Sequence, residues 1–342
     1  MNNNMKTQFA TNKNVIIGII GSMLEGIFFQ NRRTVDRVLK EYTLLHSLRI
    51  KKASRGRTVG IYKNRLGEKA ILKQLTFRFK NLYYVHLLHE ASLLSLLNKY
   101  QSKVYGENVF VPKLYKVSER KGQVEVIAQK VDGYPLKNFG MEQKLLAIEK
   151  SLIYLRDISQ KISEKDMKKI PKKTSSIFLL TFPFYLFIAA IKLRSMNLFS
   201  LFPTFYRNYM LSKAGRLCIV HRDLHSHNIL IKGKRIYIVD FEVGGLSDEE
   251  TDVAFVPILY HGEIAIEKIM AFLEKFVRDE RQMRRFLALT IFYTVQLLAL
   301  QSKKSEYYQN ASGFVGKLFK SVIPRLEKRI AELRKELISP AI

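Results

Sequence analysis

The spacing of apolar positions along the chain changes near residue 135. Before it, short apolar runs separated by glycine-containing turns predict antiparallel strands, with one longer run of helical spacing. Beyond it, apolar residues recur every three or four positions over long stretches, which predicts helices. The predicted strands are 58–62, 70–75, 113–118 and 124–129, and helical spacing covers 83–100, 142–162 and most of 263–301 and 316–337. The pattern indicates an α+β chain whose second part is mainly helical.

A turn cluster separates the two parts. Residues 132–135 read Asp-Gly-Tyr-Pro, and these residue types favour tight turns. We therefore predict a smaller β-rich part at 51–135 and a larger one at 136–342, preceded by an N-terminal extension at 1–50. Within the larger part, 163–214 is rich in lysine and aromatic residues and lacks a regular period. It is expected to be an irregular insert.

Two apolar runs bear on membrane insertion. The run 15–29 is interrupted by Glu25 and has no clean cleavage site, so we expect no signal peptide; a membrane-surface anchor and a packed helix both remain open. The run 177–191 is shorter than the roughly 20 residues that span a bilayer, and Pro183 lies inside it. We therefore predict no transmembrane helix at 177–191.

The charge balance is strongly basic. The 342 residues include 58 Lys and Arg against 30 Asp and Glu, which gives a formal net charge of +28. Such a surface attracts polyanions, including nucleic acid, anionic lipid headgroups and phosphorylated molecules. No nucleic-acid-binding motif accompanies the charge, so nucleic acid is not expected as a partner. The single cysteine, Cys218, excludes an internal disulfide, which fits a reducing cytoplasm.

The most specific chemical signal lies at 220–242. His221-Arg222-Asp223 follows an apolar run, Asn228 comes five residues after the aspartate, and Asp240-Phe241-Glu242 comes twelve residues after the asparagine. Phosphoryl transfer from ATP needs a carboxylate that orients the attacking hydroxyl and ligands that hold Mg²⁺ against the phosphates. The spacing predicts Asp223 as the catalytic carboxylate, with Asn228 and Asp240 as metal ligands.

A second group of candidates lies before residue 135. Lys73 stands in the predicted strand 70–75, which resembles the strand that presents the phosphate-binding lysine of kinases. Glu90 follows on the helix 83–100 at a distance suited to an ion pair. A surface lysine and an ordinary helical glutamate are the alternatives.

The remaining nucleotide contacts predicted from the sequence are backbone contacts. Gly56 and Gly60 flank Arg57-Thr58-Val59 and mark a degenerate glycine-rich loop whose amides would cover the phosphates. Gln129 and Val131 lie just before the turn at 132–135, in a position that resembles the hinge of kinases, where backbone groups would meet the adenine.

These residues resemble the protein-kinase-like superfamily, in particular its small-molecule branch. Asp223-Leu224-His225-x-x-Asn228 is similar to the catalytic loop of aminoglycoside and choline phosphotransferases and of the lipopolysaccharide kinases that act on Kdo or heptose. Asp240-Phe241-Glu242 in place of Asp-Phe-Gly is also typical of that branch, and no Ala-Pro-Glu segment is present. The resemblance covers about 56–254. It implies a bilobal α+β fold, with a β-rich N-lobe, a mainly helical C-lobe and Mg·ATP in the cleft between them.

The resemblance also suggests where the acceptor binds. In the family, the segment between the helix after the hinge and the catalytic loop often helps to form the acceptor site, and here that segment is aromatic and flanked by basic residues. Its aromatic residues are Phe178, Phe182, Phe184, Tyr185, Phe187, Phe199, Phe202, Phe205, Tyr206 and Tyr209. Aromatic and cationic side chains suit an anionic membrane interface, although the same aromatic residues would equally fill the core.

The leading interpretation is an ATP- and Mg²⁺-dependent kinase of a sugar hydroxyl on a membrane glycolipid. It would be cytoplasmic, with peripheral attachment to the inner face of the membrane. Three alternatives stay open: a kinase of a soluble molecule of the aminoglycoside or choline type, a protein kinase, and an inactive kinase fold that binds an anionic surface. The net charge of +28 argues against a pocket for cationic drugs.

Overall fold

The computed structural model describes most of the chain. The described residues are 42–48, 57–64, 66–76, 82–104, 108–120, 122–170, 175–212 and 216–338. The predicted N-terminal extension, 1–50, lies almost entirely outside them. The chain divides into two compact units. Unit 1 consists of 1–134, 160–172 and 230–245, and unit 2 consists of 135–159, 173–229 and 246–342.

The secondary structure of the described residues is α+β. The strands are β1 (Tyr42–Leu48), β2 (Arg57–Asn64), β3 (Lys69–Thr76), β4 (Val109–Phe110), β5 (Leu114–Arg120), β6 (Gln123–Gln129), β7 (Tyr134–Pro135), β8 (Leu217–Val220), β9 (Ile229–Lys232), β10 (Arg235–Ile238) and β11 (Gly245–Asp248). The helices are α1 (Leu82–Tyr100), α2 (Met141–Lys161), α3 (Glu164–Met167), α4 (Ser175–Leu193), α5 (Leu201–Leu211), α6 (Glu250–Leu259), α7 (Ile266–Leu273), α8 (Glu280–Leu300), α9 (Glu306–Lys317) and α10 (Ile323–Ile338). Short 3-10 turns lie at 101–103, 136–138, 196–200 and 241–243, and a π-turn lies at 318–322.

Unit 1 is built on a five-stranded antiparallel sheet of order β1-β2-β3-β6-β5. In β3, Ala70, Leu72 and Gln74 are buried, and Lys73 alternates with them onto the opposite face. The alternation is the period-two pattern of a strand. Leu75, on the same face as Lys73, is buried as well and packs with residues of α1. The predicted strands and the helix at 83–100 are therefore confirmed, with ends that differ by a few residues.

Helix α1 packs on the sheet of unit 1. Its residues Tyr84, Leu87 and Ala91 form one buried cluster with Val124 and Val126 of β6. The turn at 241–243 also contacts α1. A segment far from α1 along the chain therefore lies against this helix. At the other end of α1, Lys99 Nζ lies 2.6 Å from a carboxylate oxygen of Asp166, which ties α3 to unit 1.

Unit 2 is helical and organised around α8. Helices α4, α5, α6, α9 and α10 all contact it, and nearly all of its residues from Met283 to Ala299 are buried. By length and composition α8 is the one helix among the described residues that is apolar enough to cross a membrane, and 83% of its most apolar window is buried inside the protein. The burial identifies α8 as the central core helix of unit 2.

The expectation of an irregular insert at 163–214 is wrong for most of its described residues. Helices α4 and α5 occupy much of it, and Pro183 lies inside α4. Phe178, Phe182 and Phe205 pack against Phe292 of α8 with ring centroids 4.6 to 6.3 Å apart. The aromatic density had hidden the helical period, because apolar residues lie on more than one side of these helices.

Candidate functional site

Three carboxylates of unit 1 converge on Lys73. Its ammonium nitrogen lies 2.8 Å from both carboxylate oxygens of Glu90, 2.7 Å from Oδ1 of Asp240 and 3.0 Å from Oε1 of Glu242. Strand β3 presents the lysine, α1 presents Glu90, and the turn at 241–243 with the residue before it supplies the other two carboxylates. The predicted Lys73–Glu90 pair is thus present, as part of a larger cluster.

The electrostatics of the cluster keep the lysine charged. Burial by itself lowers the pKa of Lys73, but the carboxylates of Glu90, Asp240 and Glu242 outweigh burial and hold its pKa above the ordinary value. A permanent ammonium on a fixed strand is suited to binding a phosphate oxygen. The three carboxylates carry more negative charge than one lysine neutralises, so the cluster also favours a further cation.

The carboxylates of this cluster fit Mg²⁺. One oxygen from each of Glu90, Asp240 and Glu242 lies within 4.8 Å of the others, and Mg²⁺ prefers carboxylate oxygens while retaining water or phosphate ligands. The Asp240 side chain is 42% exposed whereas that of Glu90 is 5% exposed. Asp240 and Glu242 would therefore hold the ion, and Glu90 would hold the lysine.

Asp240 has an unusual backbone conformation. Its φ is +68°, in the left-handed region that non-glycine residues enter at a cost and mostly at functional sites. The following turn buries Phe241 completely. This anchor holds the backbone and turns the Asp240 side chain toward Lys73 instead of continuing strand β10.

The catalytic-loop motif lies in unit 2, between β8 and β9. Asn228 donates from Nδ2 to the backbone oxygen of Asp223 at 2.9 Å and to its Oδ2 at 3.2 Å. Tyr307, at the start of α9, donates its hydroxyl to Oδ1 of Asp223 at 2.9 Å. The Asp223 side chain is 26% exposed, so it is oriented by neighbours and still reachable.

The backbone of the loop before Asp223 is held by hydrogen bonds to side chains. Both oxygens of Asp252 accept backbone hydrogen bonds, from His221 at 2.6 Å and from Arg222 at 2.7 Å. Nδ1 of His221 accepts from the Asp223 amide at 3.2 Å, and Arg222 adopts φ of +62°. These hydrogen bonds hold the backbone that leads into Asp223 in one conformation.

Near Asp252, Glu250 is a buried carboxyl with no hydrogen-bond partner for either oxygen within the described part of the chain. It borders a cavity of about 30 Å³ that Cys218 and Asp252 also line. Burial raises the pKa of Glu250 to about 8, against roughly 4.3 in an unfolded chain. The side chain is therefore mostly protonated at neutral pH.

The buried carboxyl of Glu250 predicts the direction in which stability changes with pH. Between about pH 4.3 and pH 8 the unfolded chain releases a proton that the folded chain retains, so the contribution of Glu250 to stability falls as pH rises. Glu250→Gln keeps the neutral shape. We expect urea unfolding to show the variant gaining about 3 to 4 kcal/mol over the parent between pH 5 and pH 8.

The control for this prediction is Glu149→Gln, a half-buried glutamate on α2 that should show no such gain. An unchanged stability difference between Glu250→Gln and the parent at the two pH values would contradict the protonated state of Glu250.

The other predicted nucleotide contacts lie in unit 1 where they are described. Gly60 is a buried residue in the middle of β2, opposite Ser47 and Leu72, so it belongs to a paired strand and not to a loop. Gln129 ends β6, and Val131 is buried two residues later. Gly56 lies outside the described residues, and the nucleotide roles of all four remain predictions.

Two residues at these sites escaped prediction from the sequence. Glu242 was noted as part of the Asp-Phe-Glu motif but given no role, although a carboxylate two residues after a predicted metal ligand was a usable signal. Tyr307 lies 84 residues after Asp223, in a helix with no distinguishing motif, and nothing in the sequence indicated its contact.

Comparison with known proteins agrees with these geometries. Residues 200–288, which include the catalytic loop and Asp240, match the family model described as "APH: Phosphotransferase enzyme family". No curated protein sequence matches the chain.

The solved structures that resemble the fold include the following two. One is the aminoglycoside phosphotransferase APH(4)-Ia in a ternary complex with AMP-PNP and hygromycin B, with a TM-score of 0.52, 13% identity, and coverage of 90% of this chain and 98% of that chain. Another is choline kinase from Cryptosporidium parvum Iowa II, with a TM-score of 0.56, 12% identity, and coverage of 87% and 93%. At this identity the likeness shows the protein-kinase-like fold, with its strands near the N-terminus and a mainly helical C-terminal part.

Proposed function

We propose that this chain, a phosphotransferase of the protein-kinase-like superfamily, transfers the γ-phosphoryl group of ATP to a sugar hydroxyl on a membrane glycolipid. In this proposal the acceptor oxygen bonds to the γ-phosphorus as the bond between that phosphorus and ADP breaks. Asp223 accepts the hydroxyl proton, and Lys73 neutralises phosphate oxygens. Mg²⁺ held by Asp240 and Glu242 would neutralise charge on the phosphates.

The observation that carries the membrane part of the proposal is an exposed apolar surface on α4 and α5. Along α4, Leu180, Phe184, Phe187 and Ile191 are 79%, 62%, 57% and 61% exposed. Their spacing of four, three and four residues places them on one side of a helix, opposite the residues that pack on α8. Large apolar side chains grouped on a surface mark interaction sites.

The same surface continues beyond α4. Met196, Phe199, Phe202 and Met210 are also exposed, along the turn at 196–200 and helix α5. We call these eight residues of α4, the turn and α5 the apolar face. The aromatic residues of the segment thus divide: Phe178, Phe182, Phe205 and Tyr209 are core, while Phe184, Phe187, Phe199 and Phe202 are exposed.

The charge around the apolar face favours an anionic partner. No acidic residue occurs between Asp166 and Asp223, whereas lysines and arginines recur throughout that stretch. Basic residues beside exposed aromatic and aliphatic side chains suit the headgroup region of an anionic bilayer. A glycolipid acceptor would be presented at the same surface.

Vesicle binding tests this part directly. We expect co-sedimentation with phosphatidylglycerol vesicles to exceed that with phosphatidylcholine vesicles. The double variant Phe184→Ser/Phe187→Ser should bind the anionic vesicles at least about tenfold more weakly, because burying a phenylalanine contributes about 2 kcal/mol.

Leu146→Ser is the matched control, since Leu146 is 52% exposed on α2, outside the apolar face, and its loss should leave vesicle binding unchanged. Equal binding of the parent protein to anionic and neutral vesicles would remove the membrane proposal.

A kinase of a soluble small molecule is the second candidate. It is favoured by the solved structures of similar fold, one of which is a complex with hygromycin B and another of which is a choline kinase. Transfer of labelled γ-phosphate to extracted glycolipids, soluble sugars, choline-like alcohols and generic protein substrates, tested in parallel, separates the two. Label in the soluble acceptors alone would replace the glycolipid proposal.

A further inference from the structure

We propose that the hydroxyl of Tyr307 is a positioning group for the catalytic carboxylate. The residue lies in the first turn of α9, outside the segment 200–288 that matches the phosphotransferase family model. Its hydroxyl donates to Oδ1 of Asp223 at 2.9 Å, while Asn228 donates to Oδ2 at 3.2 Å. Each oxygen of the carboxylate is therefore held by a different donor.

Two donors are needed because an aspartate carboxylate is poorly fixed by its own torsion. Rotation about the terminal bond of Asp is broad and has no sharp minima. One hydrogen bond leaves the plane of the group free to turn, whereas donors on opposite oxygens set it. An ionised carboxylate offers about four lone-pair sites, so the two bonds leave sites for an acceptor hydroxyl.

The phenol itself is held on several sides. Ser305 caps α9 by accepting from the Tyr308 amide at 3.2 Å, and α9 packs on α8 and α6. The ring of His225 meets the Tyr307 ring edge-on, with centroids 5.6 Å apart and an interplanar angle of 78°. A side chain clamped by a capped helix and a neighbouring ring holds its hydroxyl in one place.

This inference rests on the proposed role of Asp223 but not on the identity of the acceptor. Transfer moves the acceptor proton to Asp223 as the new oxygen–phosphorus bond forms, and Tyr307 takes no part in bond making. Its contribution is to raise the fraction of time in which the carboxylate faces the acceptor oxygen. The effect should appear in kcat and not in the KM for ATP.

Hydrolysis of MgATP, in which water replaces the acceptor, is the assay. We expect Tyr307→Phe to lower kcat about tenfold, the effect of one hydrogen bond to a charged group, with the KM for ATP unchanged. Tyr307→Leu should lose about as much, since the hydroxyl and not the ring carries the effect. Tyr308→Phe, a buried neighbour on the same helix, is the control and should hydrolyse ATP like the parent protein.

The outcomes separate this inference from the proposed function. If Asp223→Asn abolishes hydrolysis while Tyr307→Phe retains the parent kcat, the positioning role is overturned and the proposed base stands. If Asp223→Asn hydrolyses ATP like the parent protein, both are overturned. Phosphate found on Tyr307 by mass spectrometry after incubation with MgATP would also overturn the inference, because the tyrosine would then be an acceptor.

Discussion

Asp223→Asn is expected to lower phosphoryl transfer by about a thousandfold, within the range that removal of a general base produces. The amide cannot take the acceptor proton, yet it has the size of the carboxylate and keeps one of the two oxygens that accept from Tyr307 and Asn228. The variant should therefore affect transfer of labelled γ-phosphate and thermal stabilisation by MgATP differently. We expect transfer to be lost and stabilisation by nucleotide to be retained.

Asp157→Asn is the control for the Asp223 variant. Asp157 lies on α2 in unit 2 with a side chain 40% exposed, so the same chemical change there should leave transfer unaltered. Near-normal turnover in Asp223→Asn would contradict the role of Asp223.

Asp240→Asn is expected to abolish the Mg²⁺-dependent part of nucleotide binding. Asp240 contributes the most exposed carboxylate of the Lys73 cluster, with Oδ1 at 2.7 Å from the lysine nitrogen, and an amide is a far weaker ligand for a hard cation. A ligand present at a hundred times its Kd stabilises a protein by about 2.7 kcal/mol. The measurement is the shift in Tm on adding ATP, with Mg²⁺ and with EDTA.

The variant also removes a charge from Lys73, so its Tm without nucleotide will differ from that of the parent protein. The informative quantity is the difference between the Mg²⁺ and EDTA shifts, which should vanish in Asp240→Asn. Asp132→Asn is the matched control, because Asp132 also pairs with lysines in unit 1, Lys69 and Lys130, and its side chain is 45% exposed. A Mg²⁺-dependent shift that survives in Asp240→Asn would argue against Asp240 as a metal ligand.

The catalytic loop could be predicted from the sequence because the residues that interact in it lie close together along the chain. Asn228 lies five residues from Asp223, and His221 lies two residues before it, and both contact it directly. Spacing in such a loop translates almost directly into geometry, since few backbone conformations join the two flanking strands. The Lys73–Glu90 pair could be predicted for a similar reason, because a strand followed by a helix limits where the two side chains meet.

Contacts between segments that are distant along the chain could not be predicted from the sequence. Glu242 joins Lys73 only because the turn at 241–243 packs on α1, and Tyr307 reaches Asp223 only because α9 packs on α8 and α6. Tyr307 lies in no motif, and the Asp-Phe-Glu motif that contains Glu242 does not identify Lys73 as its partner. Each depends on how helices pack within a unit, which one sequence does not specify position by position.

The aromatic segment shows the same division between local pattern and packing. Its composition suited either the core or a membrane surface and did not distinguish them, because an aromatic side chain can pack in both. Packing of α4 and α5 on α8 buried Phe182 and Phe205 and left Phe184 and Phe187 exposed. The exposed fraction of each ring, and hence its role in the proposed vesicle binding, depends on which side of the helix meets its neighbour.

The sequence by itself determined the α+β class, the order of most elements, the chemistry of the catalytic loop and the candidates Lys73, Glu90, Asp223, Asn228 and Asp240. Tertiary structure decided that Glu242 completes the lysine cluster, that Tyr307 holds the catalytic carboxylate, and which aromatic residues are exposed. The physical reason is the separation along the chain of the residues that interact. Periodicity and motif spacing record interactions within a few residues, whereas burial and convergence arise when distant segments share the same space.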